Sequence, residues 1–230
     1  MYLSVNFMPI TLACPLCATY CSYDDAVVFY RDRKRAYLRC ELCDLIFVPP
    51  EYYLSPEREK AEYDLHDNQP DDPGYRRFLS RLFTPLVNQL TPGSVGLDFG
   101  CGPGPALAAM LRERGFKVAL YDVFYHPDRS VLNRQYDFIT ATEVVEHLHD
   151  PQQQLQCLWD GLAPGGVLAI MTKLALDVDA FSRWHYKNDP THVCFFSRTT
   201  FEFLAERFDA SIEFIAGDVI FLTKPPQVTG

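Results

Sequence analysis

The stretch VGLDFGCGPGPALAAMLRERGFKVALYDVF, beginning at Val95, limits the fold more than any other part of the chain. Its apolar opening, Val95–Phe99, predicts a strand, and the cluster of Gly100, Gly102, Pro103, Gly104 and Pro105 predicts a tight turn. Residues 106–114 read as a helix, and Lys117–Tyr121 as a second strand ending on Asp122. A strand, a crossover helix and a strand of this length make a right-handed parallel unit. The fold class is therefore α/β with a doubly wound sheet.

A glycine turn alone is ambiguous, because phosphate loops use one too. A dinucleotide site reads G-x-G-x-x-G, whereas here the glycines alternate and Asp98 stands two residues before the first of them. A carboxylate there repels a pyrophosphate and suits a ligand that carries an ammonium group. Asp122, at the tip of the second strand, can take both hydroxyls of a ribose. Further on, residues 137–142 predict another strand, followed at once by TEVVEHLHDP. Residues 151–166 predict an amphipathic helix closed by a Pro-Gly-Gly turn, with a buried strand, VLAIMTK, behind it.

LDFGCGPG, YDV, YDFITATEVVEHLHDP and LAPGGVLAIMT, in this order, resemble the class I methyltransferases that use S-adenosylmethionine, over residues 74–223. The resemblance implies a Rossmann-like, seven-stranded sheet. It implies that Gly100, Cys101, Gly102 and Gly104 pass beside the methionine part of the cofactor, with Asp98 near its ammonium. It further implies Asp122 and Val123 at the nucleoside, and Thr142 and Glu143 facing the cofactor from the fourth strand. A Rossmann domain holding another nucleotide is the alternative. The chain departs from the family in one place: thirteen residues separate Asp122 from Tyr136. A third strand there must be short or missing, leaving Val123 and Phe124 as an apolar wall.

The first fifty residues carry a second constraint. Cys14-x2-Cys17 and Cys40-x2-Cys43 form paired knuckles, and two knuckles supply four sulfurs to one tetrahedral ion. Strand-like runs at 26–30 and 36–39 flank a charged RDRK turn, as a zinc ribbon requires, and filled coordination makes the site structural. Iron in a rubredoxin-like site is the alternative metal. The basic knot Arg31, Arg33, Lys34 and Arg35 reads as a solvated hairpin tip. The expected organisation is a ribbon over 1–50, a linker and helical lid over 51–92, and the methyltransferase domain over 93–230. Within the lid, residues 75–90 predict a helix that Pro85 kinks or splits.

TEVVEHLHDP returns at this point. If a helical turn starts there, Glu143, Glu146 and His147 share one face. The string is similar to the metal-binding motif of small-RNA 3′-terminal 2′-O-methyltransferases. That likeness implies a second divalent ion, held by Glu143, Glu146, His147 and His192. The other reading gives Glu143, His147 and His192 direct catalytic roles as acids, bases or positioning groups. His66, Tyr75, Trp184, His185 and Asp189 are expected around the acceptor.

These features point to a methyltransferase that removes one proton and transfers a methyl group in line to a small molecule. A net charge of −9 disfavours a phosphate-gripping protein. RNA docked through the ribbon, and a non-catalytic binding module, are the rival readings. No stretch is long and apolar enough for a membrane span, and the N-terminus lacks a positive n-region. A cytoplasmic location with reduced cysteines is expected.

Overall fold

A computed structural model describes residues 11–23, 28–65 and 69–227. The N-terminal segment forms β1 (Thr11–Ala13), β2 (Tyr20–Ser22), β3 (Tyr30–Arg31), β4 (Ala36–Arg39) and β5 (Ile46–Phe47). Two helices follow, α1 (Pro56–Tyr63) and α2 (Pro73–Gln89). The strand–helix–strand unit is β6 (Val95–Phe99), α3 (Ala106–Glu113) and β7 (Lys117–Tyr121). Then come β8 (Tyr136–Thr142), α4 (Pro151–Asp160), β9 (Leu162–Met171), α5 (Val178–Arg183), β10 (Cys194–Phe195), α6 (Arg198–Phe208) and the hairpin β11 (Ser211–Ala216) and β12 (Val219–Thr223).

The main sheet has the order β11-β12-β9-β8-β6-β7. β7, β6, β8 and β9 run parallel, and β12 and β11 close one edge antiparallel. Among the described residues this sheet has six strands rather than the seven of the family pattern, and the missing one is the third. Between β7 and β8 lie only a turn in which Asp122 bridges His126 and a 3-10 turn at Arg129–Asn133. Thirteen residues cannot hold a crossover helix and a strand, so β7 becomes the edge.

Strand alternation splits the core in two. Val167, Ala169 and Met171 of β9, with Val219 and Phe221 of β12, face α2 and α3. Leu168, Ile170, Ile220 and Leu222 point the other way, towards Leu155 and Leu158 of α4 and Phe201 and Leu204 of α6. α2 is not split at Pro85, one of the two outcomes expected of that residue. Leu79, Leu82 and Leu86 bury one continuous face of it, and the carbonyl that proline strips of its partner belongs to exposed Arg81.

The cysteine-bearing segment joins this second core. β10, from the far end of the chain, pairs antiparallel with β5 and completes a four-stranded sheet β10-β5-β4-β3. Phe29, Tyr37 and Phe195 all pack edge-on against Phe181. Arg35, read from sequence as part of a solvated tip, is 7% exposed. Its guanidinium points inward because four backbone carbonyls wait for it there, as detailed below.

Candidate active site

The two cysteine knuckles are built alike. Ala18 and Asp44, each following the second cysteine of a pair, take left-handed φ values of 61° and 62°. The Ala18 and Asp44 amides donate back to the Cys14 and Cys40 carbonyls, both at 2.9 Å. This curl turns the thiols of Cys14, Cys17, Cys40 and Cys43 to one point, with all four sulfurs within 4.8 Å of one another. Cys14 and Cys43 are 3.5 Å apart and Cys17 and Cys40 3.4 Å. A tetrahedral thiolate site with ~2.3 Å bonds needs sulfurs roughly 3.8 Å apart, so the donor set fits a metal. Cys21 lies outside this set.

At the C-terminal rim of the main sheet, the glycine turn curls over β7. The Gly100 and Cys101 amides donate to the Tyr121 carbonyl at 2.8 and 3.3 Å. Gly100 has a φ of +69°, and a Cβ there would meet Val144 at 2.5 Å, so only glycine fits. Gly102, at φ +64°, has open space where its Cβ would stand, which leaves backbone accessible to a ligand. Asp98 is buried and accepts the Thr140 hydroxyl at 2.7 Å, and burial raises its carboxyl to about 6. Tyr75, in the first turn of α2, feels the charges of Asp98 and Glu143. Its phenol is pushed up to about 12, chiefly by burial.

Asp122 spends much of its capacity on the fold. Its carboxylate accepts the amides of Gly102 at 3.0 Å, Phe124 at 2.9 Å and Tyr125 at 3.1 Å. With about four acceptor positions on a carboxylate, one remains, not the two that a pair of ribose hydroxyls needs. Val123 is 64% exposed at this edge, and Phe124 lies against Tyr63 of α1.

β8 ends on Thr142. Glu143 then adopts a left-handed φ of 53°, and the 3-10 turn Val145–His147 begins two residues later. Glu143 therefore lies outside the helical turn, and the expected single face does not form. Thr142 Oγ1 and Glu143 Oε1 are buried with no hydrogen-bond partner. Tyr186, from the 3-10 turn His185–Asn188, donates to Glu146 and reaches Glu143 at 3.3 Å. Thr172, just past β9, donates to Glu146 at 3.0 Å. Glu146 is fully buried, and burial together with neighbouring Glu143 raises its carboxyl to about 8.

Beside this acid pair stand two imidazoles, His147 and His192, with ring centroids 4.6 Å apart. His192 Nδ1 lies 2.7 Å from the Tyr186 carbonyl, and His147 Nδ1 lies 3.3 Å from that of Thr191. A carbonyl only accepts, so in both rings Nδ1 carries a hydrogen and Nε2 is the atom left to face the cluster. Burial lowers His192 to about 4, which keeps it neutral at pH 7 despite Asp189 Oδ2 at 3.8 Å. Glu146, His147 and His192 offer ligand atoms within 4.8 Å of one another, a group that does not include Glu143.

Of the residues expected around an acceptor, Asp189 is anchored by Thr191 and faces His192, while Trp184 stacks on Tyr186. His185 is exposed, 3.4 Å from Lys173 Nζ, and takes no part in the imidazole cluster. His66 lies outside the described residues. Sequence reasoning missed Thr172, Tyr63 and Arg35. Tyr63 meets the His147 ring edge-on at 5.2 Å. Thr172 could have been found from its place after a parallel strand, but nothing local signals the other two.

A mostly parallel sheet with an acid before an alternating glycine turn and a second acid at the next strand's tip is the arrangement of the class I methyltransferase fold. The chain belongs to the methyltransferase domain family, which matches it over residues 71–213. A protein from Pyrococcus horikoshii shares the fold at 13% identity, with a TM-score of 0.51 and coverage of 73% of this chain and 99% of that one. The 1,6-didemethyltoxoflavin-N1-methyltransferase of Burkholderia thailandensis, solved with bound 1,6-didemethyltoxoflavin and S-adenosylhomocysteine, covers 85% of this chain and 98% of its own. Its identity is 17% and its TM-score 0.49. No curated protein matches the chain. Among the described residues, no helix is long and apolar enough to cross a membrane.

Proposed function

We propose that the protein is an active S-adenosylmethionine-dependent methyltransferase acting on a small molecule. The observation that carries this reading is the pair of orphaned buried oxygens, Thr142 Oγ1 and Glu143 Oε1, on the rim shared by the glycine turn and the imidazoles. A buried acceptor atom without a donor costs about 1–3 kcal/mol, so a bound ligand is its natural partner.

The bound cofactor supplies the methyl group on a cationic sulfur. Asp98 would hold its ammonium, the Gly100–Gly104 turn its methionine chain, and Asp122 one ribose hydroxyl. Val123 covers the base. The Nε2 atom of neutral His192 accepts the acceptor's proton, with His147 beside it, while Glu143, Glu146 and Tyr186 fix the floor beneath them. Asp189, Trp184 and Tyr75 line the acceptor's approach. The four cysteines hold a structural Zn²⁺, and the reduced thiols fit a cytoplasmic location.

A second reading is favoured by the cluster of Glu146, His147 and His192 within 4.8 Å. Those three residues would hold a divalent ion, which would supply Lewis-acid polarisation of an acceptor hydroxyl. Metal analysis separates the two, since this reading requires an ion beyond the one bound by the cysteines. The small-molecule assignment is supported by the net charge of −9 and by burial of Arg35, which removes a cation from the basic knot.

Calorimetry with S-adenosylhomocysteine tests the cofactor assignment, with Asp98→Ala and Asp122→Ala as controls. Unchanged affinity in both variants refutes it. Transfer of labelled methyl groups into metabolite extracts, compared with RNA, tests the acceptor class. RNA labelling together with steeply salt-dependent RNA binding would reverse the choice. Binding of the cofactor with no transfer to either would leave a binding module.

A further inference from the structure

We infer that Arg35 is a positioning residue, through which the four-cysteine module holds the loop carrying Tyr186, Asp189 and His192 in its working shape. The inference rests on the proposed active site, since that loop matters to catalysis only if the imidazoles do.

The loop between Lys187 and His192 makes few internal backbone bonds, and Pro190 has no amide to give. Buried carbonyls nevertheless need donors. Arg35 provides them: Nη1 donates to the carbonyls of His192 at 2.8 Å and Pro190 at 3.4 Å. Nη2 donates to those of Asp189 at 2.9 Å and of Lys187. Nε reaches the Tyr37 hydroxyl at 3.3 Å, and Tyr37 in turn reaches the Lys187 carbonyl at 3.3 Å. A planar fork with five N–H groups can serve this many acceptors at once, whereas an ammonium has three.

The arginine is itself fixed. The Arg35 amide donates to Asp32 Oδ1 at 2.8 Å, closing the turn before β4, and β4 ends one residue before Cys40. On the other side of the metal-binding knuckle, Asp44 accepts the Ser197 hydroxyl at 2.6 Å, and β5 pairs with β10. The Val48 amide donates to the Val193 carbonyl at 3.0 Å, and the Val193 amide donates to the Glu146 carbonyl at 2.8 Å. A short backbone relay thus runs from the cysteine module through the loop to the acid at the floor of the site. His192, whose Nδ1 bonds the Tyr186 carbonyl, has its ring direction set inside that relay. The module here is a wall of the active site.

The test needs no acceptor. Hydrogen exchange of the whole protein, read on peptides covering 186–195 and 95–122, is compared for wild type, Arg35→Ala and Arg35→Lys. In Arg35→Ala the first region is expected to exchange about tenfold faster or more while the second is unchanged. Millimolar guanidinium is expected to restore protection, which a general loss of packing does not predict. Arg35→Lys keeps the charge with fewer donors, so it too exchanges faster. If Arg35→Ala does not fold, Arg35→Lys decides alone. Removing the cysteine-bound metal with a chelator should loosen 186–195 before 95–122. Wild-type protection in a folded variant, no guanidinium rescue, or simultaneous loosening of both regions on chelation overturns the inference. Affinity for S-adenosylhomocysteine should stay within about twofold in either variant, as the glycine turn is untouched. If wild type does not bind that ligand at all, the proposed function fails, and the exchange result still stands or falls alone.

Discussion

The rim over β6 and β7 draws most of its polar groups from one stretch of 25 residues, 98–122, while the rim over β8 and β9 draws them from four distant ones. Asp98, the glycines and Asp122 belong to a single strand–helix–strand unit, and hydrogen bonds inside that unit set the turn and Asp122, with Thr140 of β8 adding one to Asp98. On the other rim, Glu146 and His147 come from one turn, Thr172 from just past the end of β9 and Tyr186 and His192 from a later loop, with Arg35 of the cysteine module behind them. The first rim is prefabricated locally. The second exists only when the whole chain is folded, so it is the part that metal loss or a remote mutation should disturb.

The largest effect is expected from Cys40→Ser. It removes one of four ligands from a site whose binding energy contributes directly to folding. Metal content should fall to near zero and thermal stability by about 10 °C, corresponding to roughly 3–5 kcal/mol for a chain of this size. A variant that loses metal but keeps its melting temperature would break the comparison, because the module would then be ornamental to the fold.

His192→Ala is next. Loss of a positioned base should slow methyl transfer by about a hundredfold or more, measured with an acceptor found by the labelled-methyl screen. Affinity for S-adenosylhomocysteine should remain unchanged. A matching loss of affinity would merge the two rims.

Asp98→Asn probes the opposite side. Losing a charged partner should weaken S-adenosylhomocysteine by about 10- to 100-fold, without altering exchange in residues 186–195. The wild-type affinity should also fall as the pH drops through about 6, because burial raises the Asp98 carboxyl to that value and protonation removes its charge. The sign for stability is opposite to that of a salt-bridged acid. The folded chain keeps this proton where an unfolded Asp releases it near 4, so the ligand-free protein loses stability between about pH 4 and 6 and then levels off. Calorimetry and melting curves across this range should show both slopes in wild type and neither in Asp98→Asn.

The smallest effect belongs to Val123→Ala. This exposed side chain can bury one or two methyl groups against a base, so about a threefold weakening of S-adenosylhomocysteine is expected. A much larger loss would mean that the shortened edge at β7 carries more of the nucleoside recognition than its area allows.

Much of the fold was legible because its signals are short-range. The glycine turn, the paired knuckles and the apolar strands each span a few residues, and the thirteen-residue gap before Tyr136 already marked the missing third strand. Pro85 does not split α2 because the face buried by Leu79, Leu82 and Leu86 outweighs one lost hydrogen bond. Glu143 misled because periodicity assumes a helix, while the chain turns left-handed there before a shorter coil begins. The candidate imidazoles, too, could be named from sequence as His147 and His192. Their tautomers could not, because each is set by a backbone carbonyl on the loop that follows α5.

By itself the sequence determined the parallel sheet, the alternating glycine turn with its two acids, and the four sulfurs. In each case the signal sits in short segments, so local backbone preference shapes the pieces that then meet. Only the tertiary structure decided that Arg35 turns inward, that β10 extends the cysteine module's sheet, and that Asp122 is largely consumed in bracing the turn. Those outcomes depend on which buried carbonyls and amides lack partners once distant segments pack, and no stretch of residues carries that information alone.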